Sequence, residues 1–214
     1  VANLSEWYFE KFATDESSTE GLFEDYDHPN TRVTHMTVDH ELPMTFWRSV
    51  GHSYTAFAKE SMIDEMAEAA GMDEVAFRLQ NTQNTPRLNN VIRVAGEHMA
   101  KMNPPEGHHL GFAAHHSFYT DVAEIAEVSV ENGKIRVHKV TCVLDCGQAV
   151  NPDIVRSQIE GGVIYGLTAT LYGGLNLERG AIKESNFHDY PMLRMNESPE
   201  IEVVIIDSGT KPTG

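Results

Sequence analysis

The spacing of apolar residues along this chain changes near residue 108. Upstream, apolar positions recur every three to four residues, the period that lines one face of a helix. "SEWYFEKFA" (5–13) predicts a short amphipathic helix, and the acidic "TDESSTEGLFEDYDHPN" that follows predicts a surface loop. "TRVTHMTVDH" (31–40) alternates and predicts a strand. "YTAFAKESMIDEMAEAAG" puts Phe57, Met62, Ile63, Met66 and Ala70 on one helical stripe, with Gly71 as its stop. Helices around "DEVAFRLQ" and "PRLNNVIRVAGEHMAKM" complete this block, and "NPPEG" breaks it.

Downstream the period shortens to two. "HHLGFAAHHSF" and "DVAEIAEVSV" predict strands, and Asn132-Gly133 is a strong hairpin signal. The returning strand "IRVHKVTCVLDCG" contains an unbroken apolar run that predicts burial on both faces. Asn151-Pro152-Asp153 then starts a helix: a capping side chain, followed by proline where no amide hydrogen is needed. "NLERGAIKESN" and "EIEVVIID" predict further strands. Helices and strands in separate runs, then mixed, point to an α+β fold, divided into a helical portion (1–107) and a strand–hairpin–helix portion (108–214).

The helix after Asn151 raises a question, because it carries Gly161, Gly162 and Gly166. Each costs roughly 1 kcal/mol relative to alanine inside a helix. Gly162, Gly166 and Ala169 lie about one turn apart and form a smooth stripe, with Gln158 on the same side. Such a stripe serves either tight helix–sheet packing or the approach of another backbone or a flat ligand, and spacing alone does not choose between them.

Composition narrows the function classes. A chain of 214 residues, 41% hydrophobic, can bury a core. Its net charge of -16 argues against nucleic acid or an anionic membrane as partner. No apolar run reaches the roughly 18 residues needed to span a bilayer, and both ends read as cut from a larger polypeptide. Cys142 and Cys146 read as buried free thiols. His108-His109 and His115-His116 point to opposite faces of a strand, so neither pair chelates a metal unaided. A metal-dependent hydrolase is disfavoured, since no H-E-x-x-H spacing occurs.

Long segments carry a more specific signal. "AEVSVENGKIRVHKVTCVLDCGQAVNPDIVRSQIEGGVIYGL", "FWRSVGHSYTAFAKESMIDEMAEAAGMDEVAFR", "GFAAHHSFYTDVAEIAEVSV" and "ESNFHDYPMLRMNESPEIEV" resemble the molybdopterin-binding subunits of the xanthine dehydrogenase and aldehyde oxidase family. The nearest branch holds isoquinoline 1-oxidoreductase beta subunits and membrane-associated aldehyde dehydrogenases. The resemblance implies an oxidoreductase that hydroxylates an aldehyde or an N-heteroaromatic ring with oxygen from water. It implies a molybdenum–molybdopterin cofactor in the cytosine dinucleotide form, and an iron-sulfur subunit with or without cytochrome c as electron-transfer partners. A periplasmic or membrane-associated location follows by the same analogy.

Residue by residue, it makes "FWRS" (Phe46, Trp47, Arg48, Ser49) a cofactor segment, with the Arg48 backbone beside molybdenum. Val50 stands where xanthine dehydrogenases carry an aromatic substrate clamp. Ala114 and His115 fall on a strand lining the substrate pocket, while Gln158 and Gly162 fall on the pterin-contacting helix. The family's general base is a glutamate in a Gly-x-Gly-Glu-Pro-Gly segment. That segment is absent here, its expected position lying just beyond Pro212-Thr213-Gly214, and so is the family's Gly-Gln-Gly. The expectation is therefore a chain inactive alone, the alternative being a scaffold or split-subunit module that keeps the fold. Among other carboxylates, Glu160 faces away from Gln158, Glu124 and Glu127 read as solvated strand positions, and Asp145 reads as a structural acceptor at a strand end.

Overall fold

The computed structural model describes residues 16–22, 25–36 and 47–213. After a 3-10 turn at Glu16–Thr19 come helices α1 (His52–Ala69), α2 (Glu74–Gln80) and α3 (Pro86–Met99). Strands β1 (His108–Ser117), β2 (Thr120–Glu131) and β3 (Lys134–Asp145) lead into helix α4 (Pro152–Tyr172). The short strands β4 (Leu177–Glu178) and β5 (Ala181–Ile182) form their own hairpin, and β6 (Glu200–Ile206) closes the chain. The main sheet has the order β1-β2-β3-β6, antiparallel except where β6 runs parallel to β3. This is the expected α+β arrangement.

Local chemistry accounts for the element ends. Asn132 and Gly133 both take positive φ, 52° and 75°, and join β2 to β3 in the tight turn that suits strand twist. Gly71 at φ 64° ends α1, with its amide and that of Met72 donating to the carbonyls of Glu68 and Ala67. Asp73 and Asn151 cap α2 and α4 by accepting two backbone amides each.

The two faces of the sheet are covered differently. Leu88, Val91, Ile92 and Ala95 of α3 pack on Phe112, Ala114, Ala123, Ile125 and Val143. On the opposite face, Ile159, Val163, Leu167 and Leu171 of α4 pack on Val137, Val140 and Ile201. Val140 to Cys146 is buried at every position, as its apolar run predicts for a strand covered on both sides. Burying each large aliphatic side chain contributes roughly 1.5–3 kcal/mol.

Three expectations are corrected. The buried face of α1 is Thr55, Glu60, Ile63 and Ala67, while Phe57, Met62 and Met66 are exposed, at 76%, 54% and 38%. The helical period is right but its phase is rotated, because Glu60 is drawn inward by Arg78. The acidic stretch is no simple surface loop: Asp25 and Tyr26 are buried, Asp25 against Lys59 and Tyr26 against Glu60. Residues 31–36 carry no regular structure, since an alternating segment needs a neighbouring strand to complete its hydrogen bonds. The helix expected at 5–13 and the remainder of the 31–40 strand lie outside the described residues.

Candidate functional site: a strained turn against a glycine-bearing helix

The turn 47–50 leads straight into α1. The Val50 amide donates to the Trp47 carbonyl at 3.0 Å, and the backbone then enters the left-handed region at Ser49 (φ 72°) and Val50 (φ 50°). For a β-branched residue that conformation costs on the order of 1–3 kcal/mol, and such strain persists only where the surroundings enforce it. The enforcing contacts are visible. A Cβ at Gly51 would collide with the Ser17 carbonyl, while Tyr54 and Thr55 donate hydroxyls to the carbonyls of Ser18 and Glu20 at 2.9 and 2.6 Å.

The same turn reaches α4. The Trp47 ring lies 5.6 Å from that of Tyr165, and the Arg48 guanidinium sits 5.2 Å from the Tyr165 centroid. Tyr165 is three residues after Gly162 and seven after Gln158, one and two helical turns along. The fold thus brings together two segments more than 100 residues apart in the chain. Gln158 is exposed, and a Cβ added at Gly161, Gly162 or Gly166 would meet nothing within 4 Å among the described residues. These glycines therefore do not serve helix–sheet packing, which falls to the Ile159–Val163–Leu167 ridge.

Ala114 and His115 line a cleft of about 380 Å³ between α1 and the β1–β2 edge. Ala114 shapes its wall: its methyl belongs to the core and its amide donates to Glu60 at 2.8 Å. His115 shares hydrogen bonds of 2.9 Å with His52, the first residue of α1, and with Lys59. Burial, reinforced by the Lys59 charge, lowers the His115 pKa to about 4, so its imidazole is neutral at neutral pH. Behind the cleft, Arg78 is fully buried and binds Glu60 and Asp64 at 3.0 and 2.8 Å, while Tyr26 donates to Glu60 at 2.9 Å.

Predicted positions thus divide into two places. Trp47 and Arg48 meet the Gln158–Gly162 helix through Tyr165, Ser49 and Val50 complete their turn, and Ala114 and His115 line the cleft beside α1. Phe46 lies outside the described residues. Two of the carboxylate expectations change: Glu127 pairs with His108 at 2.6 Å, and Glu124 lines the cleft, so neither is simply solvated. Asp145 is the structural acceptor expected, taking the Gly147 amide, the Ser208 hydroxyl and Arg87. Sequence reading missed Tyr165, Glu60 and Arg78; only Tyr165 had a legible signal, an aromatic one turn beyond Gly162.

Among the described residues, the Arg48 and Ser49 amides donate to no backbone acceptor. On α4, the exposed Gln158 amide and glycines that are open among the described residues add a donor and acceptor on a sterically accessible stretch. That donor set fits an oxygen- and sulfur-bearing pterin cofactor.

The fold is a layered α+β domain in which the Trp47–Arg48 turn packs on a glycine-bearing helix. Residues 44–199 match the molybdopterin cofactor-binding domain family, and the chain belongs to that family. It is 32% identical to the beta subunit of isoquinoline 1-oxidoreductase from Brevundimonas diminuta, across 100% of this chain and 28% of that protein. It is 27% identical to a membrane-bound aldehyde dehydrogenase of Gluconacetobacter polyoxogenes, across 78% of this chain and 24% of that protein. The chain therefore spans under a third of the length of these relatives. Aldehyde oxidoreductase from Desulfovibrio desulfuricans shares the fold, with a TM-score of 0.55 at 13% identity over 78% of this chain and 36% of that one.

Proposed function

We propose that this chain forms part of the cofactor cage of a molybdenum hydroxylase acting on an aldehyde or an N-heteroaromatic compound. The observation that carries the reading is the packing of the Trp47–Arg48 turn on Tyr165 of the Gln158–Gly162 helix. When bound, a molybdenum–pterin cofactor supplies oxygen transfer from water to an electron-poor carbon. The chain's own residues bind and orient. The Arg48 and Ser49 amides donate to the metal side, and the Gln158 amide, both donor and acceptor, holds the pterin. Gly161 and Gly162 allow close backbone approach. The neutral His115 and the Ala114 wall border the substrate, and Val50 in place of an aromatic residue leaves one side of the substrate unclamped.

The cofactor form proposed is the cytosine dinucleotide, with an iron-sulfur subunit and, in some assemblies, cytochrome c receiving electrons. A Gly-x-Gly-Glu-Pro-Gly segment does not occur in these 214 residues, and we propose that the chain does not turn over substrate alone. The test is molybdenum and pterin content per chain, on full-length gene product from its native host. About one of each is expected, falling at least severalfold in Tyr165→Ala. A well-folded preparation without molybdenum overturns the reading.

A further inference from the structure

Four titratable side chains line the α1–β1 cleft, and three have partners within the protein. Glu60 binds Arg78, Tyr26 and the Ala114 amide. Asp64 binds Arg78, and His115 binds Lys59 and His52. Glu124 differs. It lies on the central strand β2, between Ala113 of β1 and Cys142 of β3, and has no ion pair among the described residues. Its polar neighbour is the Cys142 thiol, which burial keeps protonated, so it can donate to Glu124 but cannot take up its proton. Burial likewise favours the protonated form of the Glu124 carboxyl. Besides the paired groups and Ser61, the cleft is lined by apolar residues, Phe57, Phe112, Ala113 and Val122 among them.

A carboxyl in this setting gains most from a ligand that shares its proton. A neutral ring nitrogen does so as O–H···N or, with the proton transferred, as N–H⁺···O⁻; charge balances either way. The ring body then covers Phe57 and Val122, exchanging water for apolar contact. An anionic ligand is disfavoured by the acidic residues around the cleft, and a hydrocarbon leaves the carboxyl without a partner. From this arrangement we propose that Glu124 is a specificity-determining residue, hydrogen-bonding the ring nitrogen of a flat heteroaromatic molecule bound in the α1–β1 cleft. The inference rests on the hydroxylase reading only in taking this cleft as the substrate side of the cofactor site.

The test is equilibrium binding of isoquinoline and of naphthalene, its nitrogen-free isostere, to the purified full-length protein. Expected is a preference for isoquinoline of about tenfold, the size of one hydrogen bond in a desolvated site. In Glu124→Leu the two ligands should bind within about threefold of each other. Glu124→Gln, which keeps an N–H donor, should retain part of the preference. Equal binding of both compounds by the wild-type protein overturns the proposal, and this arm does not depend on any variant folding. An undiminished preference in a folded Glu124→Leu also overturns it. Molybdenum content of the same preparation separates the two readings. Metal present without nitrogen preference removes Glu124 alone; nitrogen preference without metal removes the cofactor cage and leaves the cleft assignment standing.

Discussion

Helices α1 and α4 flank the same sheet, yet they are built on opposite plans. The inner face of α1 holds charge: Glu60 is buried against Arg78 and Tyr26 and reaches the β1 edge through the Ala114 amide. α4 attaches by an aliphatic ridge and leaves Gln158, Gly161 and Gly166 exposed and Gly162 half-buried. The α1 side is a closed hydrogen-bond network, in which each group depends on the others. The α4 side holds glycines that lower helix stability and that no contact among the described residues explains. Stability is concentrated in the first region, and in our reading function in the second, with the strained turn 47–50 joining them.

The largest effect that would break this contrast comes from Arg78→Met. It leaves Glu60 buried without its counter-charge and should destabilise the protein by about 3–5 kcal/mol, read by urea unfolding. A loss below about 1 kcal/mol would mean that the network is ornamental.

Gly147 is the next point of pressure. Its φ is 69°, and a Cβ there would collide with the Lys211 carbonyl. Gly147→Ala should cost roughly 1–2 kcal/mol from backbone conformation alone, and more from displacing residues 208–213. Faster proteolysis at that end would mark the displacement.

Acid tests the cleft side separately. His115 has its folded pKa lowered to about 4 from an unfolded 6.5. Below pH 6.5 the unfolded chain takes up a proton that the folded chain refuses. Stability from this residue is therefore full above pH 6.5 and declines toward pH 4, by up to about 1.4 kcal/mol per pH unit. His115→Gln should flatten that part of the pH–stability curve; an unchanged slope would assign the acid sensitivity elsewhere.

The smallest effect sharpens the comparison most, because its two readouts move in opposite directions. Gly162→Ala adds a methyl that meets nothing among the described residues and should raise stability by about 0.5–1 kcal/mol. Molybdenum content should fall in the same variant. A gain in stability with full cofactor content would show that the stripe is not kept for a ligand.

How much was legible depended on the range of the interaction. The β2–β3 hairpin, the cap of α4 and the stop at Gly71 follow from chemistry among residues a few positions apart, and all appear where the sequence puts them. The face of α1 did not, because its phase is set by Glu60 meeting Arg78, 18 residues on, and Ala114, 54 residues on. Apolar periodicity gives charged residues no way to enter a core. The segments proposed to hold the cofactor were individually recognisable by resemblance, but their meeting through Tyr165 was not, since nothing in either segment encodes the other's distance.

The sequence by itself therefore determined the α+β class, most element boundaries and the glycines of α4, because backbone propensity and capping are local. The tertiary structure alone decided which face of α1 is buried, that the glycine stripe lies off the packing ridge, and that Trp47 and Arg48 rest on Tyr165. It also left Glu124 as the cleft carboxyl without an ion-pair partner among the described residues. Those outcomes depend on which charges and rings are brought within a few ångströms of one another, and only packing of the whole chain sets such distances.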